Sequence, residues 1–503
     1  MHIVFVHSHY ENLGIEYISS FLRQHGHRVS LLFEPGLFHN FFLKKGRLHR
    51  IFNFRNEILN RVKKLRPDIV AFSVISDNYK WTLETAKQIK DDTKAKIIFG
   101  GVHPTSVPEY VLKDGIADYL IIGEGEQAFV DLVSALEKGN SPEKIANICG
   151  YKPGGYYLNP VRPPIQDLDS LPFPDKDLFF NECRMIVSDS YTIMGSRGCN
   201  NSCSYCWNSL INNIYPGGIY FRRRSPENVI KELKWARERY AIKKVTFYDE
   251  VFTSDKEWFR KFLGLYSDEL GLPFFCCVHP RDIDEESVKL LSDSGCAALN
   301  IGIQTASEEI RRRILNRSGP NSQIINALRL LRDTKIFVYS NIILGLPEGG
   351  EEEAVRTLKF CSINKSDLPS IYWLRYYPGT RIINIAKDNN VLTDEAIEKI
   401  NASKEYSPYA ISGNTYTRYI SRLGNLILLS GIIPSKTIDF IIDHKLYRYM
   451  ISRNLLFPVI VFMGWIKRLI SGKRYPLHYL NLSGYLRFYW FYILKKINYA
   501  LEI

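Results

Sequence analysis

Two stretches of this 503-residue chain alternate short apolar runs with helix-patterned segments, and that alternation leaves few folds open. In the first stretch the runs are Ile3–Val6, Val29–Phe33, Ile69–Val74, Lys96–Phe99 and Tyr119–Ile122. Helical patterns lie between them, at Tyr17–His25 and Tyr79–Lys90, and Gly26, Gly100-Gly101 and Gly123 act as stops. Continuous apolar runs mark strands buried on both faces. Runs separated by helices predict a parallel sheet covered on both sides. Residues 1–138 are therefore expected to form a doubly wound α/β domain. A ligand of such a sheet sits in the crevice at the carboxyl ends of the strands.

The second alternation spans residues 191–385. Its candidate strands are Tyr191–Met194, Lys244–Tyr248, Phe274–Val278, Ala298–Ile303, Phe337–Ile343 and Ile371–Leu374. Helical stretches such as Pro226–Arg239, Asp284–Ser294 and Ser322–Thr334 separate them. The economical reading is a partial (β/α)6 barrel, which carries its chemistry on the loops after the strands. Residues 139–190 are rich in Pro, Gly and Asp, and Leu168–Pro174 cannot be regular helix, so this stretch reads as a connector. Residues 386–503 differ again, interleaving aromatic and aliphatic residues with Lys and Arg in a basic, mostly helical segment.

Apolar residues make up 45 % of the chain, enough for a core in each domain, and there is no signature of disorder. The start of the sequence lacks a basic region followed by an apolar one, so a secretory leader is not expected. Nine cysteines with one tight cluster suit a reducing cytoplasm. The net charge of +13 is concentrated: from Thr415 onward, 13 Lys or Arg face 3 Asp or Glu. Such a tail calls for an anionic surface, either membrane lipid or nucleic acid. Leu455–Ile466 is the longest apolar run, shorter than the about 20 residues of a membrane span, and Lys467 and Arg468 follow it. Tyr485–Tyr492 is aromatic and precedes Lys495-Lys496. Both fit peripheral contact with the inner membrane face. A helical cap with a basic outer face explains them equally, and nucleic acid stands behind both.

The chemistry concentrates in Gly198-Cys199-Asn200-Asn201-Ser202-Cys203-Ser204-Tyr205-Cys206-Trp207. Thiolates are the usual ligands of a 4Fe–4S cluster. Three of them leave one iron open to the amine and carboxylate of a small molecule. A structural zinc site would need a second Cys or His pair, and the sequence offers none. Cys149, Cys183, Cys276, Cys277, Cys296 and Cys361 show no cluster spacing. Cys276 and Cys277 share a candidate barrel strand, so one can face the barrel cavity.

The loop resembles that of the radical S-adenosylmethionine (SAM) superfamily, marked by CxxxCxxC with an aromatic residue before the last Cys. Cys199, Cys203 and Cys206 match the ligands, Tyr205 the aromatic residue packed near the adenine, and Ser196-Arg197-Gly198 the family's lead-in. The resemblance extends through Thr246–Phe252, where Asp249 and Glu250 match carboxylates that accept the methionine ammonium. It extends through Asn300–Thr305, where Gln304 replaces the commoner Glu. It reaches Ile342–Glu348, where Gly345 and Pro347 match a cofactor-side strand end, although Glu348-Gly349-Gly350 departs from the pattern. Glu351, Glu352 and Glu353 suit the first turn of a following helix. The resemblance implies bound S-adenosylmethionine and a flavodoxin or ferredoxin as electron donor.

In the first domain Ser73 and Ser76, then Gly100-Gly101-Val102-His103-Pro104-Thr105, then Gly123-Glu124-Gly125-Glu126 end neighbouring strands and should line one rim. This arrangement resembles the cobalamin-binding domain fused to many radical SAM enzymes. It implies that Ser73, Gly100, Gly101, Pro104, Thr105, Gly123, Glu124, Gly125 and Glu126 bind cobalamin. The DxHxxG signature is missing: His7, His9 and His103 are outside that frame, so cobalt would lack a protein His, and His103 reads as a loop or core residue. The likeness covers about residues 1–380. It implies an enzyme similar to class B methyltransferases, methylating an unactivated carbon or phosphorus of a lipid or secondary metabolite. Oxidative cyclisation or rearrangement without methyl transfer is the alternative within the family. A non-catalytic cobalamin- or membrane-binding regulator is the alternative outside it, and the retained cysteines argue against that.

Overall fold

The computed structural model describes residues 1–37, 48, 51–183, 190–215, 220–403, 415–450, 473 and 489–496. The first domain is a seven-stranded sheet in the order β2-β1-β3-β4-β5-β6-β7. Its parallel strands are β1 (His2–Ser8), β2 (Arg28–Glu34), β3 (Ile69–Ser73), β4 (Lys96–Gly100) and β5 (Tyr119–Ile121). Side chains alternate across each strand. Ile3 and Phe5 join Leu22, Phe129 and Leu132 on one face, while Val4 and Val6 join Val62, Ile89 and Leu112 on the other. Each such buried side chain contributes about 1.5–3 kcal/mol. The winding direction reverses between β1 and β3, which is where an open α/β sheet leaves a crevice.

The stretch 139–190 is more than a connector. Its strands β6 (Ile148–Lys152) and β7 (Gly155–Leu158) form an antiparallel hairpin that extends the sheet beyond β5. The Lys176–Cys183 helix of the same stretch packs on β2. Composition hid this hairpin, because a two-residue Pro153-Gly154 turn and short edge strands look like loop.

The second sheet is the expected partial barrel. β8 (Ser190–Ile193), β11 (Lys244–Phe247), β12 (Phe274–Val278), β13 (Cys296–Gln304), β14 (Phe337–Leu344) and β15 (Leu368–Trp373) pair in parallel, each with its successor in sequence. β8 and β15 are its two edges. Between β8 and β11 a small antiparallel ribbon forms from β9 (Ser196–Arg197) and β10 (Arg222–Arg223). The Thr415–Leu429 helix lies along the Gly350–Ile363 helix and β15, burying Ile420, Leu423, Leu426 and Ile427.

The last described helix, 489–496, returns to the first domain. Tyr492 is buried among that domain's core residues, edge-on to Phe54, and its hydroxyl donates to the Glu182 carbonyl. Lys495 pairs with Glu182 at 2.8 Å and Lys496 with Glu57 at 2.5 Å. This corrects the membrane reading for Tyr492, Lys495 and Lys496, whose polar groups are spent inside the protein. Leu455–Ile466 and 485–488 lie outside the described residues. Among the described residues no helix is long and apolar enough to cross a membrane.

Candidate active site between the two domains

The cysteine loop leaves the ribbon at Gly198, whose φ is +84° and where a Cβ would stand 2.7 Å from the Tyr220 carbonyl oxygen. Only glycine meets both conditions. The loop is pinned by its backbone: Ser204 N–H donates to the Leu315 carbonyl, the Ser204 hydroxyl to the Ile314 carbonyl, and Ile382 N–H to the Ser204 carbonyl. The Trp207–Ile214 helix starts directly after Cys206. Cys199, Cys203 and Cys206 are free thiols. Asn201 directs its backbone and side-chain N–H groups at the Cys199 sulfur, at 3.4 and 3.5 Å. Asn208 Nδ2 lies 3.7 Å from the Cys206 sulfur and an Arg317 nitrogen 3.9 Å from that of Cys203.

Burial pushes the Cys206 thiol up to about 12 and raises Cys199 as well. Bound iron inverts that logic, because a coordinating thiol is deprotonated outright. Three free thiols, each with an N–H donor beside its sulfur, fit a 4Fe–4S cluster, whose potential such donors tune. Among the described residues no three His, Cys, Asp or Glu converge as a single metal ion needs.

Asp249 and Glu250 follow β11 and have different fates. Asp249 is fully buried and accepts hydrogen bonds from Gly195 N–H at 2.9 Å and the Ser196 hydroxyl at 2.5 Å. It ties the end of β8 to β9 and does not line the cavity, which corrects its expected contact with a ligand ammonium. Glu250 does line the cavity, reachable by solvent within the cleft, and its confined position there raises its carboxyl against an opposing hydrogen bond from Asn208.

Tyr205 lies against the apolar cluster of Ile310, Ile314, Ile343 and Leu346. Gly345 and Pro347 are buried at the end of β14 in the same region. Gln304 ends β13 with φ +68°, an uncommon conformation for a residue with a side chain. Tyr205 belongs to the cluster loop itself, and none of these four is on the cavity wall. Two of the three glutamates after Gly350 do more than complement a helix dipole. Glu353 is buried and accepts the Thr305 and Thr357 hydroxyls, and Glu351 pairs with Arg448 at 2.9 Å.

On the other side, the strand ends of the first domain form a rim as expected. A cavity of about 300 Å³ lies at the switch point, between this rim and the cluster loop. Gly14, Ile15, Ile18, Ala71, Ser73, Gly100, Gly101, Gly123 and Gly125 line it from one domain, and Met194, Gly198, Trp207, Asn208, Tyr248 and Glu250 from the other. Gly101, with φ +101°, has no room for a Cβ, which would stand 2.9 Å from both the nitrogen and the oxygen of Val74. The glycine-floored, apolar crevice fits a large flat ligand such as a corrinoid. No histidine among the described residues lines it. His103 is a core residue, beside Tyr79, Ser76 and Ser403.

Four of the expected corrinoid contacts need correction. Pro104 and Thr105 lie behind the rim, where the Thr105 hydroxyl accepts Gly123 N–H at 3.1 Å. Glu124 and Glu126 line the cavity, but their carboxylates grip arginines of the second domain. Arg197 reaches Glu124 at 3.0 Å and Glu126 at 2.6 Å, and Arg222 reaches Glu124 at 2.9 Å. The Tyr220 hydroxyl and Ile165 N–H donate to the same Glu124 carboxylate. Burial raises Glu124, but the two guanidiniums outweigh it and hold the carboxyl below its ordinary range.

Sequence reasoning assigned no contact to Arg197 and missed Tyr215, Tyr220, Arg222 and Arg317. The run Arg222-Arg223-Arg224 looks like a solvated face, yet Arg222 and Arg224 are buried. Arg222 finds its partner Glu124 98 residues away, so no local signal marks it.

Residues 3–133 match the family described as the B12 binding domain, and residues 193–361 match the Radical SAM superfamily. A protein of Pyrococcus horikoshii named as an uncharacterised methyltransferase is 29 % identical over 392 residues, 76 % of this chain and 79 % of that one. The anaerobic magnesium-protoporphyrin IX monomethyl ester cyclase of Rubrivivax gelatinosus is 24 % identical over 75 % of this chain and 68 % of its own. The fold is shared with the radical S-adenosylmethionine methyltransferase TsrM of Kitasatospora setae, solved with cobalamin and a 4Fe–4S cluster, at a TM-score of 0.62 and 16 % identity over 77 % of this chain and 75 % of that one. Cluster loop, glycine-floored crevice and both matches agree: the chain carries a B12-binding domain ahead of a radical SAM domain, the make-up of a cobalamin-binding radical SAM enzyme.

Proposed function

We propose that this enzyme transfers a methyl group to an unactivated carbon or phosphorus of a lipid or secondary metabolite. The observation that carries the reading is the single cavity shared by the corrinoid crevice and the cluster loop. When bound, the cluster with S-adenosylmethionine supplies a 5′-deoxyadenosyl radical and the corrinoid supplies the methyl group. The protein's own residues do the rest. Cys199, Cys203 and Cys206 hold the iron, and Glu250 offers a carboxylate to an ammonium. Gly100 and Gly101 floor the crevice, and Ile15, Ile18 and Phe129 keep water from its wall. Tyr205, Gln304, Gly345 and Pro347 flank the nucleoside side of the cluster loop, and Ser73 is a polar contact at the corrinoid rim.

The test is an anaerobic assay of reconstituted protein with dithionite, S-adenosylmethionine, methylcobalamin and candidate substrates. Expected are 5′-deoxyadenosine and S-adenosylhomocysteine together with a methylated product, all lost in Cys203→Ala. The match to a magnesium-protoporphyrin cyclase favours a second reading, oxidative cyclisation. A dehydrogenated, unmethylated product with no S-adenosylhomocysteine would select it.

The remaining assignments belong to the same proposal. The electron donor is a flavodoxin or ferredoxin in the cytoplasm, and nucleic acid is not a partner. The basic tail, through Arg453, Lys467, Arg468 and Arg487, contacts the anionic inner membrane face. Sedimentation with phosphatidylglycerol vesicles that is lost on neutralising those four residues would support the contact, and sedimentation unchanged by that substitution would remove it.

A further inference from the structure

The cluster loop is bracketed by one short loop of the other domain. Upstream of Cys199, Arg197 is gripped by Glu124 and Glu126. Downstream of Cys206, the Trp207–Ile214 helix leads to Tyr215, whose hydroxyl accepts Glu124 N–H at 2.7 Å. Tyr215 stacks on Tyr220 with ring centroids 4.8 Å apart, and Tyr220 donates back to Glu124. Both flanks of residues 198–206 therefore end on Gly123–Glu126, the loop that also forms part of the crevice rim.

The charges continue inward. Arg197 lies over the Tyr17 ring at 5.2 Å, and the Tyr17 hydroxyl meets Arg224, which pairs with Glu232. A buried ion-pair array is a poor way to gain stability, since apolar packing of the same volume does as well. Its use is geometric, because the planar Arg197 guanidinium, held through one nitrogen by Glu124 and through the other by Glu126, is fixed in distance and direction together. We propose that Glu124, Glu126 and Arg197 are positioning residues that hold the cluster loop in register with the crevice, and that the two glutamates are not corrinoid contacts. The inference rests on the reading that both cofactors bind.

The experiment uses holoprotein reduced until the cluster and cob(II)alamin are both paramagnetic, and pulsed EPR reads their separation. Expected is one narrow distance in the wild type. Glu126→Gln and Arg197→Gln lose that single distance while iron and cobalt contents stay full, and Arg197→Lys recovers part of it. Glu126→Gln removes one ion pair and leaves the Glu124 hub, so it guards against simple unfolding, which circular dichroism also reads. An unchanged distance in the fully loaded Gln variants would overturn the inference. So would loss of cobalamin affinity in Glu126→Gln with the cluster signal intact, since that marks a direct contact. A wild type that takes up no cobalamin fells the cofactor reading, and the inference with it.

Discussion

Lys176 holds its ammonium 2.8 Å from the Glu16 carboxylate, with both side chains at 0 % exposure. Glu11 stands 2.7 Å away on the same ammonium, and the charge lies over the Tyr191 ring of β8 at 4.9 Å. The two carboxylates outweigh desolvation and keep Lys176 charged. Lys176→Met should strand the acids and cost about 3–5 kcal/mol, whereas Lys176→Met with Glu16→Leu should recover most of it. Urea unfolding measures both. A single variant within about 1 kcal/mol of wild type would show that the pair does not matter, given that this is the level of an exposed ion pair.

Gly101→Ala should lower cobalamin affinity about tenfold or more, a loss of about 1.4 kcal/mol in binding. The methyl would meet backbone atoms of Val74 that cannot yield. Gly125→Ala meets only the tip of Ile18, 2.9 Å away, which can rotate aside. Titration of apoprotein with hydroxocobalamin, followed by absorbance, ranks the two. Equal affinities would place the ligand elsewhere.

Cys203→Ala should abolish iron retention and 5′-deoxyadenosine formation. Cys361→Ala, in the buried face of the Gly350–Ile363 helix, should keep both. Iron analysis after reconstitution decides, and a Cys203→Ala protein with full iron would refute the three-thiolate cluster.

Burial lowers His103 to about 4 and His7 to about 3, from an ordinary value of 6.5. A group depressed in the folded state binds its proton more readily when unfolded. Stability is therefore full above pH 6.5 and falls as pH drops through the folded values. Over that window His103 alone should remove about 3 kcal/mol. His103→Gln should flatten the fall between pH 6.5 and 4, read by unfolding free energies. An unaltered slope would contradict the neutral buried state.

Tyr492→Ala should cost about 3 kcal/mol by emptying a core site of the first domain. The same variant should leave vesicle binding unchanged. A stability within about 0.5 kcal/mol of wild type, the usual effect of a surface substitution, would mean that helix 489–496 is not anchored there.

Both domains were legible because apolar runs and glycine stops report strands buried on both faces. The spacing of Cys199, Cys203 and Cys206 was legible because it is local. Asp249 and Glu250 show the limit: adjacent carboxylates look alike in sequence, and only the loop geometry turns one to Ser196 and the other to the cavity. Glu124 and Glu126 were read as ligand contacts because strand-end acids on a rim can serve either purpose. Arg197 and Arg222, which pair with these carboxylates, lie 71 and 98 residues away, at Glu126 and Glu124 respectively. The docking of Tyr492 escaped for the same reason, since its partners are distant in the chain, whereas the hairpin β6–β7 escaped because its short edge strands and Pro153-Gly154 turn look like loop.

That docking also bears on synthesis. The first domain leaves the ribosome complete in its sheet by Leu158, yet the ring that fills its pocket between Phe33 and Phe54 is translated more than 300 residues later. At ~5–20 residues per second the gap lasts about half a minute. During that interval the nascent domain carries an open apolar groove that a chaperone, or a neighbouring nascent chain, can occupy first.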